Sequence, residues 1–475
     1  MKKILYAMLP ALLFTTACKK GITDINVNPK SPLNVPSATV FTNAERVLTN
    51  TVTSSSVNLN IFRLIEQQWQ ETTYTDESNY NISTRPIPDA IWNAMYRDVL
   101  KNLEQVKALG ASEGLSTDNL NTNKAISDVL EVYTYYYLLT TFGNIPYTQA
   151  LNDNVLFPKY DDAKTVYYDL LNRLDADIAV LNTGSSSLGS ADIIYGGDAT
   201  KWKLFANAFK LKMGITISDI DDAKAKTTVE SAVAAGVFSS NSNNAYFQYL
   251  SAPPNTNPIW VDLVQSGRKD YVACSTLMNQ LKSTNDPRLP FYFTLDASGG
   301  YSGAAPGASS NYTTFSKPSA TITAPDFPGL LLSYAETEFN LAEAIERGYN
   351  VGGTAATHYN NGITASVLQW KGTQNSAEIY IAQPAINYLT APGTFKQKIG
   401  IQKWLALYNR GWDAWVEQRR LDYPALMAPA TALSAYPFRF TYPVNEGNTN
   451  GANVKAAGAA IGGNLVTIKL FFDKF

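Results

Sequence analysis

The chain has 475 residues, 45% of them hydrophobic and 16% charged, with a formal net charge of −2. That length can bury a large core, and without a basic field the composition argues against nucleic acid as a partner. One histidine, His358, and two cysteines, Cys18 and Cys274, cannot assemble a Cys/His metal cluster, and no calcium-loop spacing is present, so neither a metal nor a cofactor is expected. The charged share lies below the ~25% usual for globular proteins. Asn, Thr, Ser and 28 Tyr supply the polar surface instead, which suits neutral, hydroxyl-rich ligands.

Lys2 and Lys3 precede an apolar run from Ile4 to Thr16. A bilayer span needs about 20 apolar residues, so this shorter run reads as a secretory signal. The tetrad Thr15-Thr16-Ala17-Cys18 resembles a bacterial lipobox, with Thr15 where Leu is usual; the resemblance implies cleavage before Cys18 and diacylglycerol on its sulfur. Residues 1–17 are thus expected to be a signal peptide. Residues 18–36, polar and proline-containing, are expected to be a lipidated tether.

Segments Ser37–Thr51 and Asn58–Glu71 read as helices, followed by a Tyr/Asn/Ser/Thr-rich loop, Thr72–Pro88. Asp89 is the expected cap of the next helix, whose buried face is Ile91, Met95, Val99 and Leu103. Ile126, Leu130, Tyr133 and Tyr137 mark another helix, closed by Gly143 and Pro146; Asp161-Asp162 begin one that runs to Leu181. Asp198 caps a helix with the core stripe Trp202, Phe205, Phe209 and Met213, while Lys201, Lys203, Lys210 and Lys212 read as its solvated face. A short helix ends at Gly236, and a loop-rich stretch with a helix near Ser275–Leu281 follows. In the turn Asn285-Asp286-Pro287-Arg288, Arg288 is placed to bond local carbonyls or a carboxylate.

The clearest pattern lies in Leu331–Trp370. Leu331, Ala335, Phe339, Ala342 and Ile345 share one helical face, Glu343 and Arg347 are a turn apart, and Thr354 caps a second helix with Ala356, Tyr359, Ile363 and Val367 inward. This is a hairpin of tetratricopeptide-like form, a unit that stacks. Glu336, Glu338, Glu343 and Glu346 read as its solvated face, and His358 as structural. Helices are expected again around Ala377–Tyr388 and Lys396–Arg420, the latter with Trp404, Tyr408, Trp412 and Trp415 and a break point at Gly411. The fold expected is mainly α: a tetratricopeptide-like helix-pair scaffold with long loop-rich insertions and little β-structure. Residues 37–475 form one domain in this reading, with helix pairs about 89–236 and 330–420, a loop-rich insertion about 237–329, and an irregular tail, 424–475, that ends in a strand-like Leu465–Phe472.

In their order and spacing, Asp24–Pro29, Thr141–Ala150, Phe157–Tyr168, Ile194–Ala206, Asn285–Leu289, Glu338–Gly348 with Tyr359–Ser366, and Trp404–Arg420 with Tyr423-Pro424 resemble the SusD/RagB family of nutrient-binding outer-membrane lipoproteins, in its divergent branch. The resemblance implies a helical scaffold with a loop-built ligand face. It also implies a lipid anchor in the outer membrane, surface exposure, and a role as lid over a SusC-like TonB-dependent transporter. The ligand would be an oligosaccharide or, in some relatives, a peptide, and no enzymatic activity is expected. Ligand contacts are sought in loops bearing aromatic rings: Trp69, Tyr74, Asn79, Tyr80 and Arg85 in the first, Trp260, Arg268, Asp270 and Tyr271 in the middle region, and Tyr301 and Tyr312 in the glycine-rich stretch. Trp202, Trp404, Trp412 and Trp415 sit in helical patterns and read as scaffold or partner surface. An assembly adaptor without small-ligand binding is the competing class, since such stacks commonly bind proteins. A glycoside hydrolase would need paired carboxylates, and no loop pair stands out.

Overall fold

Helices that bury more than one face dominate the chain, and they do so because they stack in pairs. The computed structural model describes residues 35–181 and 184–475. The expected signal segment, Cys18, the tether up to residue 34 and the Asp24–Pro29 motif lie outside the described residues. The principal helices are α1 (Ser37–Thr53), α2 (through Ile87–Asn93, a wider-wound Ala94–Leu100, and Lys101–Gly110), α3 (Thr117–Phe142), α4 (Ala163–Leu181), α5 (Ala199–Thr216), α6 (Asp222–Ala234), α7 (Tyr334–Glu346), α8 (Ala355–Gln369), α9 (Phe395–Ala406) and α10 (Gly411–Leu421). They pack as consecutive pairs, α1 on α2, α3 on α4, α5 on α6, α7 on α8 and α9 on α10. Helix α7 also packs on α5 and α9, so pairs far apart in sequence stack into one array. Among the described residues no helix is long and apolar enough to cross a membrane.

Local chemistry sets the helix starts as expected. Asp198 accepts from the Thr200 and Lys201 amides at 2.9 and 3.1 Å, and Thr354 from the Thr357 amide at 3.1 Å. The apolar face of α7 meets that of α8 through Phe339, Ala342, Tyr359, Ile363 and Val367, all buried.

The charged residues of these helices depart from expectation. Glu336, Glu338 and Glu343 are buried, because α7 is flanked by α5, α8 and α9 and has little polar face left; only Glu346 of the four is exposed. Lys212, expected on a solvated face, is fully buried, and Lys210 is 7% exposed. Lys212 pairs with Glu336 at 2.8 Å and with Asp413, and Arg410 bonds Glu336 and Asp413 at 2.7 Å each. A turn further along, Arg420 reaches Glu343 and Glu417 at 2.6 Å, and Lys403 reaches Glu417 at 2.9 Å. Charges inside the stack therefore neutralise one another between helix pairs, which is the condition for burying them at all.

Other elements also differ. The expected helix Asn58–Glu71 is a short helix, Phe62–Ile65, followed by a strand, with the chain turned at Gln67 (φ +51°). Asp89 is no cap for α2; its carboxylate accepts from the Val444 and Asn445 amides at 3.1 and 2.9 Å and caps a helix in the tail instead. That tail is not irregular, since Val444–Thr449 and Gly451–Ala460 are helical, and Leu465–Phe472 forms no strand. Gly- and Asn-rich sequence hid these helices; the Asn450 and Asn453 side chains anchor them to the Pro158 carbonyl at 2.9 and 3.3 Å.

Strand content is small. Antiparallel ladders join β1 (Trp69–Glu71) to β5 (Tyr271–Ala273), β2 (Ile145–Pro146) to β3 (Tyr160–Asp161), and β4 (Tyr246–Phe247) to β6 (Gly329–Leu330). The β4–β6 ladder pairs Tyr246 with Leu330 and so ties both ends of the loop-rich insertion together, with β6 against α1. What lies between those ends forms a face of its own.

Candidate ligand-binding face

Residue 329 sets the position of this face. A Cβ at Gly329 would lie 2.3 Å from Cγ2 of Thr49 and 3.1 Å from Oγ1 of Thr53, so only glycine lets β6 lie against α1. Beside it Asn257 holds the rim: its amide donates to Pro325 O at 2.7 Å, its side chain donates to Phe327 O at 2.6 Å, and its Oδ1 accepts from the Ile259 amide at 2.8 Å. Opposite, Asn409 (φ +66°) turns the chain between α9 and α10. Gly411 is needed there, because a Cβ would sit 2.4 Å from the Arg63 amide nitrogen. Arg63 then ties the walls together, donating to Asn409 Oδ1 at 2.7 Å, Thr53 O at 2.6 Å and Ser54 O at 2.5 Å. Burial pulls its pKa down to about 10, with Tyr271 and Tyr408 opposing the shift.

These segments enclose a cleft of about 520 Å³, within the size range of small-ligand sites. Trp370 and Tyr408, both buried, form its floor; their rings are 5.4 Å apart, and Tyr408 stacks on Tyr292 at 4.0 Å. Phe327 stacks over Trp370 at 5.6 Å and 30°, and Phe327 and Tyr246 are half-buried, so each shows part of a ring to the cleft. Gln248, Asp326, Gln369 and Lys371 place amide, carboxylate and ammonium groups around them. Burial raises the Tyr246 pKa, so its hydroxyl stays protonated. At Arg410 burial opposes the cation, but Asp413 and Glu336 outweigh it and raise the pKa well above the ordinary value. Across the 320–324 segment lies a second hollow of about 250 Å³, lined by Arg268, Tyr271, Tyr312 and Lys317 and sharing Ala320 with the first. Both hollows combine rings with hydrogen-bonding groups, a chemistry of non-covalent recognition. Among the described residues no group of three or more His, Cys, Asp or Glu is placed to hold a metal ion.

Residues 29–443 match the SusD-like_2 family, described as starch-binding and associating with the outer membrane. The chain belongs to this family. Solved structures agree on the fold. A chitin-binding protein is 25% identical with a TM-score of 0.81, over 92% of this chain and 100% of its own. A chitin-binding SusD homologue from Flavobacterium johnsoniae is 24% identical with a TM-score of 0.78, over 91% and 98%. A SusD-like protein from Bacteroides thetaiotaomicron is 25% identical with a TM-score of 0.77, over 92% and 99%. No curated protein matches the chain.

In this SusD-like protein the ring-bearing loops fall into two groups. Trp69 is 1% exposed: it donates from Nε1 to the Tyr408 hydroxyl at 3.0 Å and braces the cleft floor from behind. Tyr80 and Tyr271 are buried too, and Tyr271 donates to Ser55 O at 2.6 Å. The Asn79 side chain, 5% exposed, donates to Thr75 O and Gly307 O at 2.8 Å each. Trp69, Asn79 and Tyr80 show a ligand no free face and are packing groups, because β1, β5 and the neighbouring loops close over them; Tyr271, though buried, borders the smaller hollow. Arg85 is tied to buried Glu77 at 2.6 Å, and Arg268 to Asp270 at 2.5 Å. Tyr74 is 80% exposed, while Trp260, Tyr301 and Tyr312 are half-buried. Of the expected contacts, the smaller hollow brings together Arg268, Tyr271 and Tyr312, and the larger cleft contains none. The cleft's own Tyr246, Phe327 and Trp370 were missed. Trp370 directly follows α8 and passed for its last residue, and Phe327 stands before the close-packed Pro328-Gly329.

Proposed function

We propose that this SusD-like protein is a lipid-anchored, surface-exposed glycan-binding protein that captures oligosaccharides on its loop face and passes them to a SusC-like TonB-dependent transporter in the outer membrane. The observation that carries the reading is the cleft in which Phe327 and Tyr246 present rings among Gln248, Asp326, Gln369 and Lys371. Sugar rings lay their C–H faces on such aromatics while amides and charged groups bond the hydroxyls. Each ring contributes on the order of 1–2 kcal/mol. Two or three such contacts, offset by the cost of association, give dissociation constants from about mM to μM, weak enough to release cargo to a transporter. The family description and the chitin-binding relatives support a saccharide over other neutral ligands. The reading needs no cofactor and no catalytic step.

The test is a binding screen of the chain lacking residues 1–18 against matched panels of oligosaccharides and peptides. Saccharide binding, with the products unchanged in length after prolonged incubation, is expected. Binding confined to peptides would replace the ligand class, and cleavage of the saccharide would make the protein an enzyme. Extraction in mild detergent is expected to recover the native protein with an outer-membrane barrel; recovery alone would remove the transporter from the proposal.

A further inference from the structure

The smaller hollow offers a ligand something the cleft does not. Its rings are not open platforms: Nζ of Lys317 lies 5.1 Å over the Tyr312 ring, and Tyr271 is buried with the Trp69 ring 5.4 Å away. Its hydroxyls are committed to the protein, Tyr271 donating to Ser55 O at 2.6 Å and Thr323 to Ser319 O at 3.0 Å, while Thr294 Oγ1 accepts from the Lys317 amide at 3.1 Å. What it presents is positive charge. Arg268 and Lys317 line it and no carboxylate does. Both are open to solvent, the Arg268 side chain being 58% exposed and Lys317 half-buried. The acids nearest to Arg268 are Asp270, which holds its Nε at 2.5 Å and so orients the guanidinium, and Asp262, whose carboxylate accepts from the Ser55 hydroxyl at 2.9 Å. Among the described residues the Nη groups of Arg268 make no hydrogen bond. Lys317 donates to Phe315 O at 3.1 Å, which engages one of the three N–H bonds of an ammonium group. Side chains no larger than threonine form the divide between hollow and cleft: Ala320 is exposed and borders both, Thr321 and Ala324 line the cleft, Thr323 lines the hollow, and Ile322 is turned inward.

We propose that the smaller hollow is an anion subsite of the ligand face: a saccharide seated in the larger cleft reaches across Ala320 and presents a carboxylate or a sulfate ester to Arg268 and Lys317. The proposal rests on the glycan-binding reading and narrows it to acidic saccharides. A neutral sugar gains little in the hollow, because an ammonium group already lies over the Tyr312 ring on which it would stack. An anionic group gains from both cations, since the planar fork of arginine matches a carboxylate or sulfate and lysine adds a point charge. The cleft is less suited to this. Asp326 lines it as well as Lys371, and Arg410 is compensated by Glu336 and Asp413.

Calorimetric titration with two matched pairs of probes tests this: hexagalacturonate against its methyl ester, and a κ-carrageenan hexasaccharide against its desulfated form. Within each pair the backbone is the same, so the ratio of affinities reads the charge. The acid form is expected to bind about three- to tenfold more tightly in at least one pair at about 0.05 M salt. That preference should shrink at about 0.5 M salt, where exposed charges are screened. The pair that shows it separates a carboxylate from a sulfate. Arg268→Gln and Lys317→Gln replace side chains open to solvent, and an unfolding midpoint near that of the wild type checks that each variant folds. Each is expected to remove most of the preference by weakening the acid form alone. Absence of an acid preference in both pairs, or a preference undiminished in both folded variants, overturns the proposal; binding of neutral saccharides in either case leaves the glycan-binding reading standing. Failure of every saccharide to bind, these four and the screening panel alike, overturns both.

Discussion

At Gly329 and His358, single side-chain contacts have measurable consequences. Thr49 is β-branched and fully buried, so it cannot swing away from a methyl group added 2.3 Å from its Cγ2. Gly329→Ala is expected to cost about 1–3 kcal/mol of stability in denaturant unfolding, as overpacking does, and to weaken saccharide binding because β6 carries the cleft rim. His358 bonds Glu338 at 2.7 Å and Gly352 O at 3.1 Å. Burial opposes the imidazolium, but the bond to Glu338 and its charge outweigh it and raise the pKa above 6.5. A raised pKa means the folded state holds the proton more tightly. The stabilisation is complete below about pH 6.5, the unfolded value, and is lost as pH rises through the folded value. His358→Gln should flatten the fall of the unfolding midpoint as pH rises above about 6.5, with saccharide affinity unchanged. Loss of binding in a folded variant would contradict the structural role.

At the scale of elements, the stack depends on charges buried between helix pairs. Lys212 of α5 meets Glu336 of α7 and Asp413 of α10. Lys212→Met would leave two carboxylates without their cation, and a loss of about 3–5 kcal/mol in urea unfolding is expected. A variant as stable as the wild type would show that Arg410 alone compensates both acids. These elements also show what a sequence carries. The helices 163–181, 199–216, 334–346 and 355–369 were legible because apolar residues recur every three or four positions and Asp162, Asp198 and Thr354 mark the starts of three of them. Their buried charges were not, because Glu336 and Lys212 are neutralised by residues some 75 to 200 positions away. The Glu343–Arg347 pair was legible, being local, at 2.8 Å. Loop composition located the insertion yet misjudged its rings: Trp69 looked like an exposed flank but is a strand residue sealed by β5, while Trp370 looked like a helix end and forms the cleft floor.

For the whole molecule, the helical array is a frame, and the pinned insertion carries the face proposed to bind the ligand. Family membership places such chains with the outer membrane, and no described helix is long and apolar enough to cross one. If Cys18 carries the lipid, Cys18→Ala should move the protein from the membrane fraction to the soluble fraction with saccharide affinity unchanged; retention in the membrane would exclude that anchor. The central claim is that oligosaccharides bind on Phe327 and Tyr246. Titrating a saccharide identified on the wild type into Phe327→Ala, with the unfolding midpoint checked beside it, tests that claim directly. An affinity loss of roughly ten- to thirtyfold is expected for one aromatic platform removed from a folded protein. Unchanged affinity in the folded variant would contradict the account and move the binding site away from this cleft.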